Sequence, residues 1–202
     1  MIDEKELGGV DTFASGIESY VEIPHETEFL SRFARIARYG MIEVGSWKGR
    51  STVYLGLVAR ERRCSLVCVD TWADCDIPGQ FGVDFFPEFK RNLLSAGLWQ
   101  YLTVIRKSSA EAAREFRSVV LPEAKYDFLF IDADHSYEAV KQDFAVWMPH
   151  LERPAVVIFH DILWPTVGRF YGETLKAPGV VFHEELGNIG AVVLGKVEKK
   201  IA

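Results

Sequence analysis

The strongest constraint on the fold is an alternation of short apolar runs with helical patterns that begins near residue 39. The runs are rich in Val, Ile and Phe, and they occupy residues 41–44, 66–69, 101–105, 126–131, 155–159, 180–182 and 189–194. Short, continuously apolar runs are typical of strands that are covered on both faces. Helical patterns lie between them at residues 50–60, 86–96, 109–117 and 136–148. This order predicts an α/β fold with a mostly parallel, doubly wound, Rossmann-like sheet, right-handed crossovers and helices on both faces.

The last two runs favour a different connection. Only a few residues, around Gly187 and Asn188, separate them. A parallel crossover needs about a dozen residues, so the two runs must pair antiparallel. We therefore predict a seven-stranded sheet that ends in an antiparallel C-terminal hairpin, which a plain dinucleotide-binding sheet usually lacks.

The first 38 residues are less regular. Leu30, Phe33, Ile36 and Ala37 recur at helical spacing, which predicts an amphipathic helix over residues 25–38. We expect this helix to cover one side of the sheet, although a share in a substrate lid or in a subunit contact is also open. The predicted organisation is an N-terminal helical extension, residues 1–38, followed by one domain, residues 39–202.

Composition narrows the class of protein. The 202 residues carry 23 basic and 29 acidic side chains, so the net charge of −6 disfavours nucleic acid as a partner. No apolar run reaches the ~18 to 20 residues of a membrane span, and the first residues lack the pattern of a signal peptide. Cys64, Cys68 and Cys75 do not have the spacing of a zinc site and fit reduced thiols. We expect a cytoplasmic protein with no membrane partner.

The loop after the first strand is the first candidate for ligand binding. Glu43, Gly45, Ser46, Gly49 and Ser51 lie where the strand turns into a helix. Gly45 can adopt backbone angles that other residues avoid, and Gly49 allows a ligand to approach the chain closely. Amides at a helix N-terminus favour anionic or polar groups. A tight turn without a ligand remains the alternative.

Asp70 strengthens the ligand-binding interpretation. It ends the second strand about 20 residues after the glycines, where a carboxylate can accept hydrogen bonds from both ribose hydroxyls of a cofactor. The loop has only two glycines, separated by Ser46, Trp47 and Lys48, so it is not the pyrophosphate fingerprint of dinucleotide-binding proteins. A bulkier loop suits a cofactor without phosphates, such as S-adenosylmethionine.

Carboxylates and histidines follow the fourth and fifth strands. Asp132, Asp134 and His135 come after the fourth strand, and His160 and Asp161 end the fifth. If these strands are neighbours, Asp132, His160 and Asp161 converge as in a divalent-metal site. A charge directly after a buried strand, as at Asp132, is costly without partners.

Simpler roles are open for three of these residues. Asp134 could cap the following helix, because aspartate is favoured at that position. His135 could be an exposed residue at the start of that helix. His160 could form hydrogen bonds only within the edge of the sheet.

Four segments together carry a family resemblance. EVGSWKGRST, VDTW, FIDADHSYEAVKQDF and VVIFHDI resemble the motifs of class I S-adenosylmethionine-dependent methyltransferases. The nearest group is the small-molecule O-methyltransferases of the catechol, caffeoyl-coenzyme A and macrolide-sugar types. The resemblance covers about residues 38–195, and it specifies cofactor and fold better than substrate.

The resemblance implies roles for individual residues. Glu43, Gly45 and Ser51 would surround the methionine part of S-adenosylmethionine, and Ser46, Gly49 and Asp132 would also belong to the cofactor-binding residues. Asp70 would hold the ribose, Trp72 would lie beside the adenine, and Ser109 would lie near the adenine edge. Asp132 would be the first metal ligand, followed by His160 and Asp161, and His135 occupies the position of the catalytic base.

One departure from the family pattern leaves the metal open. His160 replaces an oxygen ligand, whereas magnesium prefers an all-oxygen shell. Either another cation such as manganese binds, or His160 lies outside the ligand set, or the site holds no metal.

The expected reaction is methyl transfer to a hydroxyl oxygen of a small molecule, whether a phenol, a sugar or another natural product. His135, with an ordinary pKa of about 6.5, would remove the hydroxyl proton. The segment 73–87 could close over the acceptor or be an inert surface loop, and a homodimer is the default assembly. Two other classes remain open, a nicotinamide-dependent oxidoreductase and a non-catalytic cofactor-binding protein.

Overall fold

The computed structural model describes residues 4–73 and 82–196, and the side chains from residue 9 onward within them. The described chain forms a sheet of seven strands in the order β3-β2-β1-β4-β5-β7-β6. The strands are β1 Gly40–Val44, β2 Leu66–Asp70, β3 Leu102–Arg106, β4 Tyr126–Ile131, β5 Leu151–His160, β6 Val180–Leu186 and β7 Ile189–Leu194. The first five strands pair in parallel, and β7 runs antiparallel to both β5 and β6.

Helices cover both faces of this sheet. They are α1 Glu4–Ser15, α2 His25–Ile36, α3 Arg50–Arg62, α4 Phe86–Ser95, α5 Ser109–Val119, α6 Tyr137–Trp147 and α7 Pro165–Thr174. Alternate residues of a strand point to opposite faces, so Met41 packs into the core beneath α2, α3 and α4, whereas Ile42 packs beneath α5, α6 and α7. The N-terminal helices therefore share an apolar core with the sheet.

The predicted α/β fold and its antiparallel hairpin are confirmed. The sequence patterns missed α1 and α7, because each contains two glycines, which weaken a helical signal. They also predicted only the first three residues of β6. Since β6 is the edge strand and much of it is exposed, it has no continuous apolar run to reveal its length.

The topology brings several loops to one edge. The parallel strands β1, β2, β4 and β5 all end there. Because Ile189 pairs with His160, the turn between β6 and β7 lies at the same edge. Most of the segment 73–87, including Cys75, lies outside the described residues. Within residues 4–73 and 82–196, every helix is too short or too polar to traverse a lipid bilayer.

Candidate active site

The loops after β1 and β4 touch each other. The amide of Gly45 donates to the carbonyl of Val69 at 2.9 Å, and the amide of Asp132 donates to the carbonyl of Val44 at 2.9 Å. Gly45 has a φ of +88°, and a Cβ at this position would lie 1.9 Å from the carbonyl oxygen of Asp132. The candidate cofactor loop and the candidate catalytic loop therefore share one side of the molecule.

Asp70 fixes the shape of the loop after β1. One carboxylate oxygen accepts hydrogen bonds from the amides of Ser46 at 2.9 Å and Trp47 at 2.8 Å. The other accepts from the amide of Trp72 at 2.7 Å. A carboxylate has about four acceptor positions, so these three bonds leave room for one more donor. Its predicted bond to a ribose stays a prediction.

Glu43 is fully buried beneath the loop and is surrounded by hydroxyl groups. It accepts hydrogen bonds from Ser46 at 2.8 Å, Ser51 at 2.7 Å and Thr52 at 2.6 Å. Burial raises the pKa of Glu43 to about 7, although the three hydroxyl groups act in the opposite direction. Ser46 and Ser51 are thus turned toward Glu43, and their predicted contact with a cofactor remains untested. Thr52 completes the group, and the sequence analysis did not single it out.

The aromatic residue Trp72 lies in the core. It is 1% exposed, packs on Phe86 and Phe89 with ring centroids 5.2 and 4.7 Å away, and donates its indole N–H to the carbonyl of Trp47. In this arrangement Trp72 supports the loop from within. Its predicted position beside an adenine is not tested by these contacts.

Gly49 and Ser109 also have structural partners. Gly49 has a φ of +93°, and a Cβ there would lie 2.5 Å from the side chain of Leu93 on α4. The hydroxyl of Ser109 accepts a hydrogen bond from the indole N–H of Trp147 at 2.9 Å. It also forms a hydrogen bond with Asp143, and burial raises the pKa of Asp143 to about 6. Neither contact tests the predicted role of these two residues toward a cofactor.

His160 is enclosed by carboxylates. It is 2% exposed; its Nδ1 lies 3.0 Å from Asp161 Oδ2 and 3.1 Å from Asp132 Oδ1, and its Nε2 lies 3.1 Å from Glu26 Oε2. Burial alone would lower the pKa of His160, but the surrounding carboxylates raise it to about 12. Both ring nitrogens of His160 therefore lie at hydrogen-bond distance from carboxylate oxygens. The predicted ligand set of Asp132, His160 and Asp161 stays a prediction.

His135 is the histidine that faces outward beside them. Its Nε2 lies 2.8 Å from Asp161 Oδ2, and this hydrogen bond raises the pKa of His135 against the opposing effect of burial. Burial disfavours the charge of Asp161, but its bonds to the two histidines hold its pKa far below the ordinary value. Because ionised Asp161 accepts the proton on Nε2, the lone pair of neutral His135 is on Nδ1.

Two further contacts hold His135 in place. Its ring stacks on Trp164 with 4.6 Å between ring centroids and an interplanar angle of 30°. Its backbone carbonyl accepts a hydrogen bond from the hydroxyl of Thr166, at the start of α7, at 2.5 Å. Both partners come from the segment that follows Asp161, so the same loop orients the histidine and its carboxylate.

A cation could be held by a different trio from the predicted one. Asp132, His135 and Asp161 each offer one ligand atom, and these atoms lie within 4.8 Å of one another. Two carboxylate oxygens and an imidazole nitrogen suit Mn²⁺ or a similar ion better than Mg²⁺. By number and type of donor atom the trio fits a divalent cation, with His135 in the place predicted for His160.

The structure adds two residues that the sequence analysis did not assign to the site. Glu26 on α2 contacts His160, and Asn188 in the β6–β7 turn contacts Asp161. Glu26 did have a signal, since it precedes Leu30 and Phe33 at the spacing of the apolar stripe of α2. Asn188 had none, because asparagine is a common turn residue.

The N-terminal segment covers the loop after β1. Arg50 holds this segment by donating to the carbonyl oxygens of Ala14, Ile17, Ser19 and Val21. Tyr20 stacks on Trp47 with 6.0 Å between ring centroids, and Lys48 pairs with Glu18 at 2.6 Å. Residues 14–21 are therefore part of the surroundings of the candidate cofactor site.

Comparison with known proteins identifies the class. Residues 42–162, more than half of the chain, match the methyltransferase domain family. The chain belongs to this family.

Solved structures share the fold over almost the whole chain. An O-methyltransferase from Bacillus cereus in complex with SAH is 19% identical, with 94% of this chain and 89% of that chain covered and a TM-score of 0.66. The O-methyltransferase TomG from Streptomyces achromogenes, involved in tomaymycin synthesis and solved with SAM, is 16% identical, with 96% and 91% covered and a TM-score of 0.67. Cofactor-bound Rv0187 from MTB is 18% identical, with 95% and 90% covered and a TM-score of 0.69. The predicted resemblance to the O-methyltransferase fold is confirmed.

One curated relative is much longer. The uncharacterized protein y4gI of Sinorhizobium fredii is 27% identical over 154 residues, which is 68% of this chain. The chain spans about 16% of the length of that relative.

Proposed function

We propose that the protein transfers a methyl group from S-adenosylmethionine to a hydroxyl oxygen of a small molecule. The family and the fold support methyl transfer. The observation that carries the choice of a hydroxyl acceptor is the pair of His135 Nε2 and Asp161 Oδ2, 2.8 Å apart, because it prepares an imidazole to remove a proton. The acceptor class, which includes phenols, sugars and other natural products, follows from the resemblance.

The loop after β1 would hold the cofactor. Its backbone is fixed by Asp70 and braced by Glu43, and it leads into the N-terminus of α3, which favours polar and anionic groups. The methionine end would then lie near Asp132, because Gly45 and Asp132 are in contact. S-adenosylmethionine or its product is the ligand of two of the neighbouring structures.

His135 would act as the base. In its neutral form, Nδ1 would take the hydroxyl proton. S-adenosylmethionine would supply the methyl group to the hydroxyl oxygen and would leave as S-adenosylhomocysteine. Asp161 stabilises the imidazolium that forms, and the proton then passes to solvent. Alignment of the two bound reactants can remove about 7–11 kcal/mol of the barrier.

A divalent cation held by Asp132, His135 and Asp161 would lower the pKa of a bound hydroxyl. Neutral imidazole has one free lone pair, because its other nitrogen carries the proton, so His135 serves either as ligand or as base. Activity that survives a chelator would support the base, and activity that a chelator abolishes and Mn²⁺ restores would support the ligand.

The test combines binding and turnover. We expect calorimetry to detect binding of S-adenosylhomocysteine and not of NAD, and we expect mass spectrometry to detect methylated products from a panel of phenols and sugars. His135→Ala should abolish turnover and keep cofactor binding, whereas His183→Ala, at an exposed position on β6, should change neither. Binding of NAD would support the oxidoreductase alternative. Cofactor binding with no product from any hydroxyl would support a non-catalytic protein.

A further inference from the structure

The antiparallel hairpin brings its turn to the candidate active site. Because β7 begins where β5 ends, with Ile189 paired to His160, the preceding residue Asn188 lies beside Asp161. A parallel strand beside β5 would begin at the opposite edge of the sheet, so the residue that precedes it would not lie beside Asp161.

Every polar group of Asn188 is used. Its side-chain Nδ2 donates to Asp161 Oδ1 at 2.6 Å, and its Oδ1 accepts the amide of Leu163 at 3.0 Å. Its carbonyl accepts the amide of Ile162 at 3.2 Å, and its own amide donates to Glu26 Oε1 at 3.2 Å. Asn188 is thus hydrogen-bonded to each of the three residues that follow β5, and its own amide is bonded to Glu26 on α2.

The hydrogen bond from Asn188 determines which carboxylate oxygen of Asp161 contacts each histidine. Because Asn188 donates to Oδ1, Oδ2 is the oxygen that contacts His135 at 2.8 Å and His160 at 3.0 Å. Asp161 also has a φ of +58°, a left-handed conformation that a residue other than glycine adopts at some cost. The bonds from Asn188 to residues 161–163 hold the backbone in that conformation.

We propose that Asn188 is a positioning residue for methyl transfer: it turns Asp161 so that Oδ2 faces His135 Nε2, and it thereby fixes Nδ1 of His135 as the atom that accepts the proton. This inference rests on the proposed function for its catalytic meaning. The geometric part, that Asn188 determines the tautomer of His135, can be tested without any acceptor.

The decisive experiment is ¹⁵N NMR of the full chain labelled at histidine, at a pH where His135 is neutral. In the wild type we expect the Nε2–H tautomer, with the His135 resonances assigned from their loss in His135→Ala. In Asn188→Ala we expect a mixture of tautomers. Asn188→Asp, which places a second carboxylate against Asp161, should shift the tautomer further. A wild-type tautomer in both Asn188 variants would overturn the proposal.

A matched control separates positioning from loss of stability. Thr174→Ala on α7 removes one buried hydrogen bond, between Thr174 and the carbonyl of Phe170, and that bond involves neither Asp161 nor His135. Asn188→Ala removes two side-chain hydrogen bonds. Thr174→Ala should lower Tm by an amount comparable to Asn188→Ala and should leave the tautomer of His135 unchanged. If Thr174→Ala alters the tautomer as Asn188→Ala does, the effect is general and the proposal fails.

Turnover adds the catalytic part. We expect kcat of Asn188→Ala to fall about tenfold or more, the effect of one hydrogen bond to a charged group, with the Kd of S-adenosylhomocysteine unchanged. An unchanged kcat would overturn the proposal. If the wild type methylates no hydroxyl, the proposed function fails, and the NMR result still decides whether Asn188 orients Asp161.

Discussion

Gly45 and Asp132 are in contact across two loops that lie far apart in the chain. A Cβ at position 45 would lie 1.9 Å from the carbonyl oxygen of Asp132, far inside van der Waals distance. Only a residue without a side chain allows the loop after β1 to lie against the loop after β4. This contact is what brings the candidate cofactor site and the candidate base to the same place.

Substitution of Gly45 should therefore disrupt the site and the fold together. We expect Gly45→Ala to lower the free energy of unfolding by at least about 2 kcal/mol, because it adds a left-handed Cβ and a clash with backbone. Urea titration measures the change. Gly172→Ala is the matched control, since Gly172 lies in α7 with nothing within 4 Å of its Cβ position, and it should be neutral or stabilising. Equal stabilities for the two variants would contradict the contact.

Asp70 should be required for cofactor binding. Its three bonds to backbone amides shape the loop, so Asp70→Ala is expected to weaken binding of S-adenosylhomocysteine about 10- to 100-fold, as measured by calorimetry. Glu152→Ala, which removes an exposed carboxylate at the start of β5, should bind as the wild type does. Unaltered affinity in Asp70→Ala would exclude this loop as the cofactor site.

The pH dependence of turnover should report the bond between His135 and Asp161. That bond raises the pKa of His135, and the base must be neutral, so kcat/KM should rise with pH through a midpoint above the ordinary value for histidine. In Asp161→Asn the pKa of His135 falls, so the rising limb should move to lower pH while the maximum rate decreases. The measurement is kcat/KM across pH for both proteins at saturating cofactor. A limb that stays in place would show that another group is the base.

Glu43 should make stability depend on pH. Its pKa is raised from 4.5 to about 7 in the folded protein, so the folded state binds the proton more tightly than the unfolded state. Its contribution is fully present below pH 4.5 and is lost as the pH rises through 7. At about 1.4 kcal/mol for each pKa unit, the loss is roughly 3 kcal/mol.

The variant Glu43→Gln isolates that contribution. Between pH 4.5 and pH 7, the free energy of unfolding of the wild type should fall relative to that of Glu43→Gln. Denaturant titration at several pH values measures the difference between the two proteins, in which the other titrating groups cancel. A difference that does not vary with pH would mean that Glu43 titrates normally.

Much of the fold followed from local patterns. The apolar runs and their spacing predicted the strands β1 to β5 and β7, and the short interval around Asn188 predicted the antiparallel pair. Gly45 and Asp70 could be identified because a strand-to-helix turn with glycine and a strand-final acid are local features. The helix α7 was missed, since its glycines and its initial proline mask the helical period.

The sequence by itself determined which residues reach the carboxyl edge of the sheet, because apolar periodicity sets where each strand ends. Only the tertiary structure decided how those residues pair. It placed His160 against Glu26, which is 134 positions away, and left His135 as the partner of Asp161 that faces outward. It also brought Asn188 to Asp161, 27 positions apart. Such pairings depend on strand register and helix packing, which are determined by the burial of many apolar side chains together. No pattern of a few adjacent residues therefore encodes them.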